Sequence, residues 1–282
     1  MFGLVLEGGA SRAYYSVGAM DALMDNNIWA DYLIGASAGI ANGISYMSRQ
    51  RGRSLAIGTK YLSDKRYMGI KHLLSPKNKS LYNISFVFSD IPNIYLPFDY
   101  ETYKKYSKNV FAAVTNLKTG KCEYINVTGE DKDWKEITAS CALPLLFPPI
   151  QISEKLYMDG GITDPIPVEK ALSDGCNKVL TIITREKAYI KEEESGLKIA
   201  ARKYKKYPNF AHALDNRTEC YNNSHKKLLD LEKEGKAFVL APENSSGWRR
   251  TESDPEKIRE IYNAGYKDLI KNLDKIKEYL NK

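Results

Sequence analysis

The segment from Asp31 to Met47, DYLIGASAGIANGISYM, restricts the fold more than any other part of the chain. It predicts a short strand, a tight turn that carries Ser37, and then a helix. Ser37 lies in a G-x-S-x-G pattern with small neighbours, as a sharp turn requires where two backbones come close. Such a turn presents a serine hydroxyl beside the amides of a helix N-terminus. Ser37 is therefore a candidate nucleophile, and the alternative is a small-residue turn with an incidental serine.

A second strand-to-helix connection lies at the start of the chain. The apolar run Phe2 to Glu7 predicts a buried strand, and later apolar spacing predicts a helix from Arg12 to about Asp25. The connecting loop, Gly8 to Ala13, is of a kind that holds anions with backbone amides. A dinucleotide-binding loop fits poorly, because a third glycine is missing and Asp31 begins the next strand instead of ending it.

An acidic residue beside two glycines marks a third position. Leu156 to Met158 predicts the end of a strand, and Asp159 follows it directly, before Gly160 and Gly161. Doubly wound sheets place their chemistry at the carboxyl ends of their strands, so Asp159 is a candidate functional acid. The alternative is an Asx-turn residue that caps the glycine bend.

Strands alternate with helices over more than half of the chain. Val110 to Thr115 and Cys122 to Val127 predict a hairpin, and Lys178 to Thr184 and Ala237 to Leu240 predict two further strands. This alternation is typical of an α/β fold with a mainly parallel sheet.

The chain becomes polar and mostly helical after Arg185. Its last helix begins near Asp254, where Ser253 and Glu256 match a capping box. No linker or repeat defines a second domain. We therefore expect one domain over residues 1–282, with residues 186–282 as a mostly helical extension packed on it.

Composition excludes several classes of protein. The 282 residues are 43% hydrophobic and 27% charged, as in soluble globular domains. No apolar run reaches the roughly 18 residues of a membrane span, and the N-terminus lacks a signal-peptide pattern, so we expect a cytoplasmic protein. Four scattered cysteines without C-x-x-C argue against a zinc site or a disulfide framework. The formal charge of +7 suits anionic lipid and nucleic acid equally.

Two further segments have an unusual composition. Lys60 to Leu81 mixes basic residues with aromatic and aliphatic ones, which suits contact with an anionic membrane surface, although a solvated loop has the same composition. Leu143 to Ile150 is rich in proline and apolar residues. It predicts either the wall of an acyl pocket or a stiff plug over the sheet edge.

The glycine loop, the serine turn and Asp159-Gly160-Gly161 occur in an order that resembles the patatin-like phospholipase family of serine acyl hydrolases. The resemblance covers Gly8 to Gly161. It implies a three-layer α/β/α fold and a lipid or acyl ester substrate, with no metal, cofactor or nucleic acid ligand. It leaves the oligomeric state unknown.

The resemblance also implies roles for individual residues. Ser37 would be the nucleophile, Asp159 the acid of a Ser-Asp dyad, and the amides of Gly8, Gly9 and Ala10 the oxyanion hole. Arg12 matches the family's basic position and would support the loop or meet a phosphate.

The loop departs from the family pattern at two places, where Ala10 and Ala13 stand for glycines. An alanine amide can donate provided that the loop needs no positive φ, and activity depends on that condition.

Two other functions remain alternatives. One is a catalytically weak lipid-binding or regulatory module of the same fold. The other is an α/β-hydrolase with a Ser-His-Asp triad that uses His212 or His225, although its serine would normally follow several strands and here follows one.

Overall fold

The computed structural model describes residues 1–194 and 196–281. The strands are β1 (Phe2–Leu6), β2 (Tyr32–Ala36), β3 (Val110–Asn116), β4 (Cys122–Asn126), β5 (Ile150–Ile152), β6 (Lys155–Asp159), β7 (Lys178–Ile182) and β8 (Phe238–Leu240). The α-helices are α1 (Tyr14–Asp25), α2 (Ala38–Met47), α3 (Arg53–Tyr61), α4 (Ile70–Leu74), α5 (Tyr100–Tyr106), α6 (Lys135–Ser140), α7 (Val168–Ser173), α8 (Gly196–Lys203), α9 (Pro208–Asp215), α10 (Arg217–Lys233), α11 (Pro255–Lys271) and α12 (Leu273–Asn281). Short 3-10 helices cover Ala10–Ala13, Ser107–Asn109 and Gly160–Ile162, and a π-helix covers Phe86–Tyr95.

Across these ranges, eight strands form one sheet in the order β5-β6-β3-β2-β1-β7-β8, with β4 also paired to β3. The pairs β1-β2, β2-β3, β1-β7 and β7-β8 are parallel, which confirms the mainly parallel centre. β3 and β4 form the predicted antiparallel hairpin. Because β1 and β2 are parallel neighbours, the glycine loop and the serine turn leave the sheet at the same end, where both strands have their carboxyl ends.

Alternate residues of the central strands face different helices. Leu4 and Leu6 of β1 lie in an apolar cluster with α1, α2 and α11, whereas Val5 lies in a cluster with α7 and α10. Both faces are therefore buried, as in parallel sheets generally. This confirms the three-layer α/β/α prediction. No helix of the described ranges is both long and apolar enough to span a bilayer.

β3 has two successive partners along one edge. Ala113 pairs with Ala36 at the end of β2, and the next residue, Val114, pairs with Asp159 of β6. β4 occupies the other edge of β3 here, so β6 takes over the edge that β2 leaves. β6 runs antiparallel to β3. The doubly wound pattern behind the prediction for Asp159 is therefore wrong, and Asp159 meets the end of β2 from the opposite direction.

The last helical segment differs in two ways from the prediction. It divides into α11 and α12 at Asn272. The N-cap is Asp254, whose carboxylate accepts a hydrogen bond from the amide of Glu256 at 2.9 Å, so the capping box at Ser253 is wrong. Pro255 explains the difference, because proline suits the first helical position and leaves the preceding residue as the cap.

α11 packs against α1 at two glycines. A Cβ added to Gly18 would lie 1.9 Å from the carbonyl oxygen of Tyr262, and one added to Gly265 would lie 1.9 Å from that of Tyr15. The two backbones are therefore in direct contact. Since α1 follows the glycine loop, this contact connects the C-terminal helices with that loop.

Substitution Gly265→Ala should destabilise the protein. The methyl group has no space, and we expect the free energy of unfolding to fall by about 2 kcal/mol despite the better helix propensity of alanine. Urea unfolding followed by circular dichroism measures the change. Asn263→Ala, on the exposed side of α11, is the control and should lose no stability. Equal stability of both variants would contradict the close packing of the two helices.

Candidate active site

Ser37 occupies the turn between β2 and α2 with a left-handed backbone. Its φ is +53° and its ψ is −129°, a region that costs a non-glycine residue about 1–3 kcal/mol. A Cβ added to Gly39 would lie 2.7 Å from the backbone oxygens of Leu6 and Glu7. The prediction that this turn excludes larger side chains is confirmed.

Ser140, in α6, supports the turn, and sequence reasoning missed it. Its hydroxyl accepts a hydrogen bond from the Ser37 amide at 2.9 Å and donates one to the Ala113 carbonyl at 2.7 Å. Ser140 is fully buried. A serine at the buried end of a short helix is a weak sequence signal, because its partners lie in the turn after β2 and on β3.

The glycine loop places three amides beside Ser37. A Cβ added to Gly8 would lie 3.1 Å from the Cβ of Ser37. Within residues 1–194 and 196–281, the amides of Gly8, Gly9 and Ala10 have no hydrogen-bond acceptor, whereas the Ser11 amide donates to the Arg250 carbonyl at 3.1 Å. The loop therefore presents free donors that could hold a negatively charged oxygen.

Ala10 and Ala13 differ in backbone conformation. Ala10 has a φ of +50°, so the condition that the loop needs no positive φ is not met there. Alanine takes this conformation at a cost of about 1–2 kcal/mol and still leaves its amide free. Ala13 has a φ of −63°, which suits alanine, so a glycine is not required at this position.

Glu7 directly precedes the glycine loop and holds its start in place through hydrogen bonds. Sequence reasoning did not identify this residue. It is 1% exposed, and its carboxylate accepts hydrogen bonds from the amide and hydroxyl of Thr184 and from the Tyr221 hydroxyl, the last at 2.8 Å. These donors satisfy a buried charge and connect the loop to the chain after β7 and to α10. The sequence signal that could have identified Glu7 is a carboxylate between an apolar strand and two glycines.

Asp159 is an Asx-turn residue and also a buried carboxylate in the lining of the polar cavity. One oxygen, Oδ1, accepts a hydrogen bond from the Gly161 amide at 2.7 Å, as in an Asx turn. Burial raises the pKa of Asp159, while Arg217, the nearby Ser37 hydroxyl and the Gly161 amide oppose that rise. Its Oδ2 is buried and, among described residues, without a hydrogen-bond partner of normal length. This oxygen is a proton acceptor that the fold leaves unused.

Ser37 lies where two cavities meet. One has a volume of about 150 Å³ and is mainly apolar, with Tyr14, Phe88 and Phe147 among its lining residues. The other, of about 50 Å³, is called the polar cavity here because charged side chains, Asp159 among them, and the glycine loop line it. Leu143 lines both cavities, so the apolar segment from Leu143 to Ile150 forms part of a pocket wall.

The remaining candidates take different positions. Arg12 lines the polar cavity and is 6% exposed. His72, His212 and His225 line neither cavity. Their contacts explain their places: His225 is buried and stacks on Tyr221, while the other two bind neighbouring polar groups at the surface.

Comparison with known proteins places these features in a family context. The model of the patatin-like phospholipase family matches residues 4–172. A domain of unknown function, DUF6363, matches residues 207–281. The expectation of one domain with a helical extension stays a prediction.

Curated relatives include lysophospholipase NTE1 of Cryptococcus neoformans, 27% identical over 192 residues, and that of Saccharomyces cerevisiae, 22% identical over 194 residues. Each alignment covers 64% of this chain but only 11% or 10% of the relative. Among solved structures, VipD from Legionella pneumophila aligns with a TM-score of 0.46 at 13% identity, covering 97% of this chain and 66% of VipD.

Substitution Ala10→Gly should slightly stabilise the protein. Glycine removes about 1–2 kcal/mol of backbone strain. It also increases the entropy of the unfolded chain, which lowers stability by about 0.4–1 kcal/mol. We therefore expect the free energy of unfolding to rise by about 0.5 kcal/mol. Ala13→Gly is the matched control, and it should destabilise by about 1 kcal/mol because it relieves no strain and removes a buried methyl group. Chemical denaturation measures both changes. A loss for Ala10→Gly as large as that for Ala13→Gly would contradict the strained loop.

Proposed function

Because the chain belongs to the patatin-like phospholipase family, we propose that it is a lipid acyl hydrolase that cleaves carboxylic esters through a Ser37-Asp159 dyad and an acyl-enzyme intermediate. The relatives named lysophospholipase support lipid hydrolysis in general, and the substrate proposed here is a phospholipid or lysophospholipid. The chain spans about a tenth of the length of those relatives. Their names therefore do not fix its substrate.

One observation carries the proposal. A strained serine, a buried carboxylate and three free amides surround the junction between an apolar cavity and a polar one. An ester with a long acyl chain has the same division, since its chain is apolar and its alcohol side is polar. The apolar cavity suits the acyl chain and leaves the carbonyl carbon beside Ser37.

The proposed reaction has two steps. In the first, Asp159 takes the proton of the Ser37 hydroxyl while the oxygen attacks the carbonyl carbon, and the amides of Gly8, Gly9 and Ala10 bind the oxyanion. The alcohol leaves with that proton. In the second, Asp159 deprotonates a water molecule, which attacks the acyl-enzyme. The fatty acid leaves as the Ser37 oxygen takes the proton back from Asp159. The bare carboxylate oxygen supports the assignment of Asp159 as the base.

The histidine alternative finds less support. None of His72, His212 and His225 lines the cavities that meet at Ser37, so the cavities give no support to a histidine base. Asp159 lines the same polar cavity as Ser37. Burial also raises its pKa, which makes this carboxylate a better base than an exposed one.

We also propose that the segment Lys60 to Leu81 meets an anionic membrane surface. Ile70 and Leu74 of α4 are 70% and 76% exposed, and Lys65 and Lys71 are exposed beside them. The segment borders the apolar cavity, because Tyr67 belongs to its lining. Exposed apolar residues together with cations suit the boundary between head groups and acyl chains.

Substitution Ser37→Ala or Asp159→Asn should abolish hydrolysis of p-nitrophenyl acyl esters and of micellar phospholipid. The two residues act as one unit, so we expect similar losses of several orders of magnitude in kcat. Asp164→Asn is a matched control, because that carboxylate lies five residues away and lines neither cavity. Labelling of Ser37 by a fluorophosphonate should also fail in both dyad variants.

The pH dependence gives a second readout of the same prediction. The base must be ionised, so kcat/KM should fall as the pH decreases through the pKa of Asp159, which lies above its ordinary value of 3.8. Activity that survives in Asp159→Asn but disappears in His225→Ala or His212→Ala would replace the dyad by a histidine triad. A wild-type protein that neither labels nor hydrolyses esters would favour a lipid-binding module instead.

The double substitution Lys65→Glu/Lys71→Glu should weaken binding to anionic vesicles by roughly 1 kcal/mol per removed positive charge, and added salt should reduce this difference. Arg66 is left intact because it pairs with Asp64 at 2.7 Å. Vesicle sedimentation measures the binding, and hydrolysis of soluble short-chain esters should not change.

The matched control is Lys275→Glu/Lys277→Glu on α12. That helix lies at the opposite edge of the sheet, where the Tyr279 hydroxyl accepts a hydrogen bond from the amide of Val179 near the start of β7. Equal loss of vesicle binding in the two double variants would refute a specific role for the segment Lys60 to Leu81.

A further inference from the structure

The polar cavity beside Ser37 has basic walls. Four basic side chains contribute to its lining: Arg12, Lys191, Arg217 and Arg250. Only Arg12 comes from the part of the chain that matches the patatin-like family, and both Arg217 and Arg250 come from the part that matches the domain of unknown function. The C-terminal part of the chain thus lines the cavity beside the candidate nucleophile.

Arg12 lacks the acceptor that a buried guanidinium normally has. It is 6% exposed, and among described residues its side chain makes no hydrogen bond or ion pair, with Nε fully enclosed. Burial lowers its pKa to about 10, so it remains charged at neutral pH. A buried cation without an acceptor is costly, and an anionic ligand in the cavity would satisfy it.

The other three cations are held together by one carboxylate. Glu194 pairs with Arg217 and with Arg250, each at 2.8 Å, and also with Lys191. Burial would raise the pKa of Glu194, but these cations lower it to about 2. Glu194 does not line the cavity, so it fixes the basic side chains from outside.

The charge balance of this group favours an anion. Its carboxylates are Glu7, Asp159 and Glu194, against four cations. Glu7 is already satisfied by neutral donors, Thr184 and Tyr221. Asp159 is the proposed base. One positive charge is therefore left over, and Arg12, which belongs to the cavity lining, has no side-chain acceptor among the described residues.

We propose that the polar cavity binds the phosphate group of the substrate. The C-terminal part of the chain then determines the preference for acyl esters that carry a phosphate on the alcohol side. This inference rests on the proposed function. With the acyl chain in the apolar cavity, the alcohol side of the ester points into the polar cavity, since Ser37 and Leu143 line both cavities. A lysophospholipid has this arrangement of one chain, one ester and one phosphate.

The test compares two substrates with the same acyl chain, lysophosphatidylglycerol and monoacylglycerol, each in neutral detergent micelles. We expect Arg250→Gln to lower the ratio of their kcat/KM values about tenfold or more, as removal of a charge-assisted hydrogen bond does. Arg249→Gln is the matched control, because Arg249 is exposed and lines neither cavity, and it should keep the wild-type ratio. Thermal unfolding shows whether each variant is folded.

Inorganic phosphate provides a measurement on the wild-type protein alone. It should inhibit hydrolysis of lysophosphatidylglycerol competitively. An increase in monoacylglycerol hydrolysis on addition of phosphate would instead identify free phosphate as an effector and overturn the assignment to the lipid phosphate.

Two further outcomes separate this inference from the proposed function. If the wild-type protein hydrolyses both lipids and Arg250→Gln lowers both rates equally, the phosphate site is refuted and the hydrolase remains. If the wild-type protein hydrolyses neither lipid and Ser37 is not labelled by a fluorophosphonate, the proposed function itself fails and the phosphate site falls with it.

Discussion

Two strands share one edge of β3, and the point where β6 replaces β2 lies beside Ser37. The hydrogen-bond ladder of β3 therefore sets the position of Asp159 relative to the end of β2. The Thr115 hydroxyl strengthens this register with a hydrogen bond to the Asp159 carbonyl at 2.7 Å. A slip of one residue would turn the Asp159 side chain to the other face of the sheet, away from the cavity.

Close backbone contact gives the site its second constraint. The glycine loop, β1 and the start of α2 approach one another so closely that a methyl group at Gly39 would overlap the backbone of Leu6 and Glu7. The same packing holds Ser37 and Ala10 at positive φ, at a cost of a few kcal/mol in total. Ser140 and Glu7 offset part of that cost, because they satisfy buried polar groups on both sides of the site.

The C-terminal part of the chain closes the outer side of the glycine loop. The carbonyls of Arg250 and Glu252 accept hydrogen bonds from the amide and hydroxyl of Ser11, and α11 packs directly against α1. The loop thus lies between the central sheet and a segment more than 200 residues away in sequence. This arrangement explains how a region outside the match to the patatin-like family can influence the candidate active site.

The sequence by itself determined the α/β class, the serine turn, the glycine loop and the position of Asp159 at a strand end before two glycines, because each depends on residues close together along the chain. Local backbone sterics require small residues around Ser37, and short continuous apolar runs identify the buried strands. The hairpin of β3 and β4 was predictable for the same reason.

Only the tertiary structure decided how these parts meet. The antiparallel direction of β6, the support from Ser140 and Glu7, the positive φ of Ala10 and the approach of Arg217 and Arg250 all depend on contacts between distant segments. No local pattern encodes such contacts, since a strand's partner and direction follow from the packing of the whole sheet. The choice between a pocket wall and a plug for Leu143 to Ile150 was open in sequence for the same reason, and the packing around Ser37 resolved it.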